Sequence, residues 1–244
     1  MKITISKTPA LLGIEAAKLA ASSLNRAIFE RGEARLVLST GASQFETLEA
    51  LLKEDVDWER TEIFHLDEYM ELPVTHKASF RKYLNDRITS RIRCKRFHSI
   101  DTEEKRDKLL ERLTMEIRKN RVDLGLIGIG ENAHIAFNDP PADFKTRDAF
   151  QIVTLDQRCR LQQVREGWFE SVDDVPSNAV SMTVWQIMQC QTIISAVPHR
   201  VKAEAVNKTL TNPVDKMIPA TILKQHNDFN LFLDTESSSG IITF

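Results

Sequence analysis

The chain has little of what would assign it to a specialised class. Its three cysteines, Cys94, Cys159 and Cys190, are odd in number and widely scattered, which argues against a disulfide framework and against a cysteine-based zinc site. The six histidines are equally dispersed, with no His-x-x-x-His or His-Glu pairing, so the sequence supports no metal requirement. Charge of one sign is missing as well. Thirty-three basic and thirty-five acidic residues leave a formal net charge of −2, no electrostatic footprint for nucleic acid. A local basic run holds Arg87, Arg91, Arg93, Lys95 and Arg96 without interleaved aromatics and reads as a solvated helix end or loop. The longest apolar runs are too short to cross a bilayer, and Met1 to Ser6 reads as a strand rather than a signal peptide. A cytoplasmic location with no membrane partner is therefore expected. With eight glycines and eight prolines among 244 residues, no Gly/Pro-rich linker, repeat or low-complexity segment divides the chain. Its 42% hydrophobic content suffices for one core in one domain spanning residues 1–244.

What is present is an alternation of short apolar runs and amphipathic stripes. Strand-like runs occur at 36–38, 63–66, 124–127, 192–197 and 230–233; helical stripes occur at 14–28, at Leu109, Leu113 and Ile117, and at Val201, Ala205, Val206 and Leu210. Such alternation predicts a single-domain three-layer α/β/α sandwich with a mainly parallel, Rossmann-like sheet. From about residue 236 the Ser-Ser-Ser-Gly sequence suggests a flexible tail, with Ile241 to Phe244 either fraying or docking on a neighbour.

Chemistry gathers where predicted strands end. Gly128 to Pro140 follows the apolar run Leu124–Ile127 and places His134 among glycines and side-chain oxygens, just past a strand's carboxyl end. The stretch 128–133 formally matches a dinucleotide fingerprint, but Asn138-Asp139-Pro140-Pro141 stops any helix that could offer its N-terminus to a pyrophosphate. A second junction, Ser39-Thr40-Gly41-Ala42-Ser43, offers hydroxyls and backbone N–H groups to an anion at a helix start; it lacks the lysine and the length of a nucleotide-binding P-loop. The third, 62–69, reads as a strand ending in Asp67 and Glu68, whose side chains point to opposite faces, so that one can meet a pocket while the other holds the loop.

Taken together, Ser39 to Ser43, Phe64 to Tyr69 with Leu72-Pro73, Asp123 to Pro140, and Pro198 to Ala203 resemble the glucosamine-6-phosphate deaminase/isomerase family, whose wider group includes galactosamine-6-phosphate deaminase/isomerases and 6-phosphogluconolactonases. Their order and approximate spacing fit over nearly the whole chain. After the histidine this chain reads Ile135-Ala136-Phe137-Asn138-Asp139-Pro140, which favours the amino-sugar branch over the Thr-Ala-Ser-Leu-Phe-Pro type of the lactonases.

The resemblance implies conversion of a 2-amino-2-deoxyhexose 6-phosphate, gluco- or galacto-configured, to a ketohexose 6-phosphate with release of ammonia, without a cofactor, by a protein whose partner is a small sugar phosphate and which is compatible with a homo-oligomer. It places the anion cradle at Thr40, Gly41, Ala42 and Ser43 with Lys202, adds Ser39, Glu68 and Gly128 to the substrate site, assigns the C2 base to Asp67 and ring opening to His134, and leaves Arg160 and Arg165 both open for the family's arginine. The alternatives are a sugar-phosphate lactone hydrolase, with His134 as general base on water, and a weakly catalytic sensor. Three residues depart from the family's pattern. Asn132 replaces an aspartate, so position 132 brings no negative charge to His134. Asp139 replaces a glutamate and loses a methylene of reach. Ala42 replaces a glycine, which is tolerable at negative φ.

Overall fold

The strands sort their side chains between two opposite faces, and this alternation builds the layers. The computed structural model describes residues 1–165 and 167–241, with the side chains of Arg158 and Gln162 left aside; the expectation for residues 242–244 lies outside the described residues. In chain order the principal elements are β1 (Lys2–Ser6), α1 (Pro9–Arg31), β2 (Ala34–Leu38), α2 (Phe45–Leu51), β3 (Thr61–His65), β4 (Asp67–Tyr69), α3 (Phe80–Leu84), β5 (Arg96–His98), α4 (Arg106–Arg118), β6 (Leu124–Leu126), β7 (Phe150–Thr154), α5 (Gln157–Arg165), β8 (Asn178–Met182), α6 (Val184–Ile187), β9 (Thr192–Val197), α7 (Ala203–Thr211) and β10 (Phe229–Asp234). Seven of the strands form a wholly parallel sheet in the order β1-β10-β9-β6-β2-β3-β5.

Leu36, Leu38, Ile63, Leu124, Ile194 and Phe232 pack with Leu12, Ala16, Ala20 and Leu24 of α1 and with Leu48 and Leu51 of α2. The intervening Val37, Phe64, Ile193, Leu231 and Leu233 pack with Leu109, Leu113 and Ile117 of α4 and with Ala205 and Val206 of α7. Two cores on two faces of one sheet make the three-layer α/β/α sandwich that alternating elements imply. Helix α1 begins where Thr8 accepts a hydrogen bond from Leu11 N–H and Pro9 presets φ, and it ends at Gly32, whose φ of 81° suits the left-handed cap.

One expectation needs correction. The run 62–69 is not a single strand: β3 ends at His65, and β4 belongs to a second, antiparallel sheet of order β4-β8-β7. Leu66 makes the switch, its N–H donating to Leu38 C=O of the main sheet and its own C=O accepting from Met182 N–H of the other. The last helix is also shorter than its stripe suggested. It starts at Ala203 after a 3₁₀ turn over Arg200–Lys202, and Val201 is 56% exposed, outside the buried face. After β10, residues 235–240 form turns in which Ser237 is buried and hydrogen-bonded to Asp234.

Strands added after β2 run outward through β3 to β5, whereas those after β6 run outward through β9 to β10. The order reverses between β2 and β6. At such a reversal the two following loops diverge to opposite faces and leave a crevice at the strands' carboxyl ends.

Candidate active site

A cavity of about 350 Å³ opens at this crevice, within the range that holds a small ligand. Its walls include Ser39, Thr40, Gly41, Ala42 and Ser43 after β2, Asp67 at the sheet switch, Gly128 and His134 after β6, and Lys202 after β9. Glu68, Asn132, Asp139, Arg160 and Arg165 do not line it.

The loop after β2 is shaped by Gly41, whose φ of 109° and ψ of 163° suit a residue without Cβ. Tyr83 Oη donates to Gly41 C=O at 2.9 Å and fixes the loop. Ala42 starts a 3₁₀ turn and is not among the residues of positive φ, so its methyl is accommodated. Ser39 Oγ is buried and has no hydrogen-bond partner among the described residues.

Asp67 and Glu68 divide as an extended segment requires. The buried Glu68 carboxylate accepts from Tyr69 N–H, Ser79 Oγ, Phe80 N–H and Arg81 N–H, and so caps α3; burial raises its proton affinity even though these bonds oppose the shift. The Asp67 carboxylate faces the cavity and accepts no hydrogen bond among the described residues. Burial first, and then the neighbouring Glu68 charge, lifts its pKa well above the usual carboxylate range. Its backbone is held by His65, which sequence reasoning passed over. Ile100 N–H donates to His65 Nε2 at 2.8 Å, so the proton resides on Nδ1, which donates to Asp67 C=O at 2.9 Å. Burial depresses the His65 pKa to about 3, and the ring stays a neutral brace.

The loop after β6 contains no helix between 128 and 140, so the Gly128–Ala133 stretch does not open one. It doubles back so that Gly130 N–H donates to His134 C=O at 2.9 Å. Asn132 Oδ1 accepts from His134 N–H at 3.1 Å and lies 2.5 Å from His134 Nδ1, while Asn132 Nδ2 donates to Asp139 Oδ1 at 3.0 Å. Turning the amide over would set its NH2 against His134 N–H and its oxygen against Asp139 Oδ1, so Oδ1 faces the imidazole; opposite an oxygen that can only accept, Nδ1 carries the proton and Nε2 is left as the ring's acceptor. Asp139 Oδ1 is also 3.3 Å from Nδ1. The negative charge missing at position 132 is therefore supplied by Asp139. Burial works against that charge, but bonds from His134, Asn132 and the Cys159 thiol outweigh it and hold the carboxyl below its ordinary range. Replacing Asn132 with Asp would oppose two carboxylates at about the present amide–carboxylate spacing. Asn132→Asp is expected to lower turnover about tenfold, the loss of one hydrogen bond to a charged group; a pH–rate profile of the variant checks this, and higher turnover would contradict the pairing with Asp139.

Neither arginine enters the cavity wall. Arg160 donates to Val172 C=O at 2.5 Å, and Arg165, 68% exposed, pairs with Glu131 at 3.0 Å. Lining residues to which the sequence assigned no role include Lys77, Tyr83, Gln163 and Trp168, which come from segments far apart in the chain, and His199, which lies within the Pro198–Ala203 segment that carries Lys202. Within the basic run Arg91 pairs with Glu49 and Lys95 with Glu33 and Glu62, while Arg87 stacks over the Phe45 ring. His199, Asp234 and Glu236 each bring one ligand-type atom within 4.8 Å of the others, but the Asp234 oxygens already accept from the N–H groups of His199, Glu236 and Ser237.

Among curated proteins, the chain is 30% identical over 209 residues to a glucosamine-6-phosphate deaminase of Streptococcus pneumoniae serotype 4, covering 85% of this chain and 88% of that one. It is 28% identical over 229 residues to the glucosamine-6-phosphate deaminase of Streptococcus equi subsp. zooepidemicus, covering 93% and 96%. The solved structure of a monomeric glucosamine-6-phosphate deaminase superposes with a TM-score of 0.90 at 29% identity, covering 98% of this chain and all of that one. A 6-phosphogluconolactonase from Shewanella baltica shares the fold, with a TM-score of 0.79 at 18% identity over 96% of this chain and 97% of its own. The model of the glucosamine-6-phosphate isomerases/6-phosphogluconolactonase family matches residues 7–232, and the chain belongs to that family.

Proposed function

We propose that the protein is a deaminating aldose–ketose isomerase that takes a 2-amino-2-deoxyhexose 6-phosphate and water to a ketohexose 6-phosphate and ammonia. The observation that carries this reading is the Asp67 carboxylate, which faces the same cavity as His134 and the Ser39–Ser43 loop, is left without a protein hydrogen bond among the described residues, and has its proton affinity raised by burial. Hydrolysis of a lactone by a water that His134 activates gives such a carboxylate no proton to abstract. Proton transfer between adjacent carbons requires one. Relatives of nearly one-third identity carry the deaminase name, which supports the gluco-configured substrate.

In this account the phosphate rests on the loop from Ser39 to Ser43 and on Lys202. His134 Nε2 accepts the proton of the anomeric hydroxyl and passes it to the ring oxygen, opening the sugar. Asp67 then removes the C2 proton and returns it to C1 while an amine proton passes to O1, and water hydrolyses the resulting C2 imine to release ammonia. Glu68, Asn132 and Asp139 act behind the wall, holding α3 and the imidazole. Among the described residues no helix is long and apolar enough to cross a membrane, and a cytoplasmic site of action belongs to the same proposal.

Lys202→Ala is expected to raise KM about 10- to 100-fold with little change in kcat, since a charge-assisted contact to phosphate contributes roughly 1.5–3 kcal/mol; unchanged KM together with unchanged inhibition by inorganic phosphate would move the cradle elsewhere. The reading as a whole is tested by assaying ammonia release from glucosamine- and galactosamine-6-phosphate beside hydrolysis of 6-phosphogluconolactone. Ammonia release from an amino sugar with no lactone hydrolysis is expected, and lactone hydrolysis alone would replace the reading.

A further inference from the structure

We propose that His199 is a second anion-binding side chain beside Lys202, recognising the substrate's phosphate monoester. The proposal rests on the deaminase reading for the identity of that anion. Its starting point is backbone geometry. After Val197 and Pro198 the chain turns at His199 with φ 78° and ψ 145°, a region close to one that only glycine adopts without strain. The turn is pinned on both sides. His199 N–H donates to Oδ2 of the fully buried Asp234 at 2.9 Å, and His199 C=O accepts from Lys202 N–H at 3.0 Å, so the two side chains are carried by one rigid turn.

Beyond an ion-pair approach to Glu46 and the Asp234 and Glu236 carboxylates within 4.8 Å of a ring nitrogen, the imidazole makes no bond to the described residues that offsets this strain. It is 42% exposed, it lines the same cavity as Lys202, and it makes no hydrogen bond among the described residues. Its nearest charged neighbour, Glu46 Oε1, is 3.9 Å from Nε2, beyond hydrogen-bond reach. A glycine would relieve the backbone and leave every backbone contact of the turn in place. Strain held at a cavity wall by a side chain with unused donors points to a ligand as its partner. A histidine ring offers that ligand an N–H donor and, when protonated, a positive charge facing the phosphate.

The test uses His199→Gly, His199→Gln and Lys202→Ala in the full chain. Binding of inorganic phosphate is measured by calorimetry, the melting temperature without ligand by scanning calorimetry, and KM and kcat with the amino-sugar phosphate. His199→Gly should melt a few degrees higher than the native protein, bind phosphate about tenfold more weakly and raise KM with kcat nearly unchanged; His199→Gln, which keeps an N–H donor, should recover part of the phosphate affinity without the gain in melting temperature. Native phosphate affinity in His199→Gly, with affinity lost in Lys202→Ala, overturns the proposal and leaves the cradle standing. Native affinity in both variants overturns the cradle as well. A lower melting temperature for His199→Gly would show that the ring supports the fold, and it too overturns the proposal.

Discussion

Asp67→Asn is expected to reduce kcat by at least ~100-fold, the scale of a general base that acts in the rate-limiting step, while KM and phosphate affinity stay close to native. The amide fills the same volume but cannot take the C2 proton. A second consequence follows from burial. The folded-state pKa of Asp67 lies well above the ordinary carboxylate value, because burial and then Glu68 disfavour its charge. A carboxyl with a raised pKa contributes most to stability below its unfolded pKa, where it is protonated in both states, and that contribution is lost as pH rises through the folded pKa. The neutral amide has no such loss. Asp67→Asn should therefore melt higher than the native protein on the alkaline side, by a margin that grows with pH through the folded-state value. The native activity should rise with pH over the same window, as Asp67 gives up its proton. A variant with near-native turnover would remove Asp67 from the mechanism, and a melting temperature lower than native at all pH values would remove the account of its charge.

Gly130→Ala is expected to reduce turnover on a similar scale through His134. A Cβ at position 130 would stand 2.2 Å from His134 Cε1, 2.4 Å from Nδ1 and 2.5 Å from Nε2, distances that no packed structure contains. The backbone at Gly130 cannot easily retreat, because its N–H donates to His134 C=O and its C=O accepts from Ala133 N–H, both at 2.9 Å. The ring must move, which breaks the contact to Asn132 Oδ1. Misplacement of a catalytic group by about 1 Å can cost ~100-fold. Loss of kcat with phosphate binding preserved is the expected signature. Native turnover would show that His134 tolerates another position and is not the ring-opening group.

The layered fold and the strand-end loops were legible because their signals are local. Leu36–Leu38, Ile63–Phe64 and Thr192–Val197 are short apolar runs, and the loops that follow them carry the chemistry. The second sheet was not legible. Phe150–Thr154 and Asn178–Met182 pair across an intervening helix, and Asp67–Tyr69 continues an apparent strand without a break; only the alternation of Leu66 hydrogen bonds between two sheets separates them. The pairing of Asn132 with Asp139 escaped for a related reason. Viewed residue by residue, Asn132 withdraws charge from His134 and Asp139 is merely shorter than expected. In the folded loop the amide bridges the imidazole and the carboxylate, and the two departures become one arrangement. Arg160 and Arg165 were indistinguishable in the sequence, and each instead meets a protein partner, Arg160 the Val172 C=O and Arg165 the Glu131 carboxylate at the cavity's edge.

Transfer of the C2 proton by Asp67 is the central claim, and it is tested most directly with glucosamine-6-phosphate carrying deuterium at C2. The native protein should release ammonia more slowly from the labelled sugar than from the unlabelled one, with the label recovered at C1 of the ketose phosphate or lost to water, and Asp67→Asn should leave the C2 label untouched while the sugar still binds. Ammonia release with the label retained at C2, or loss of the label in Asp67→Asn at the native rate, would contradict it.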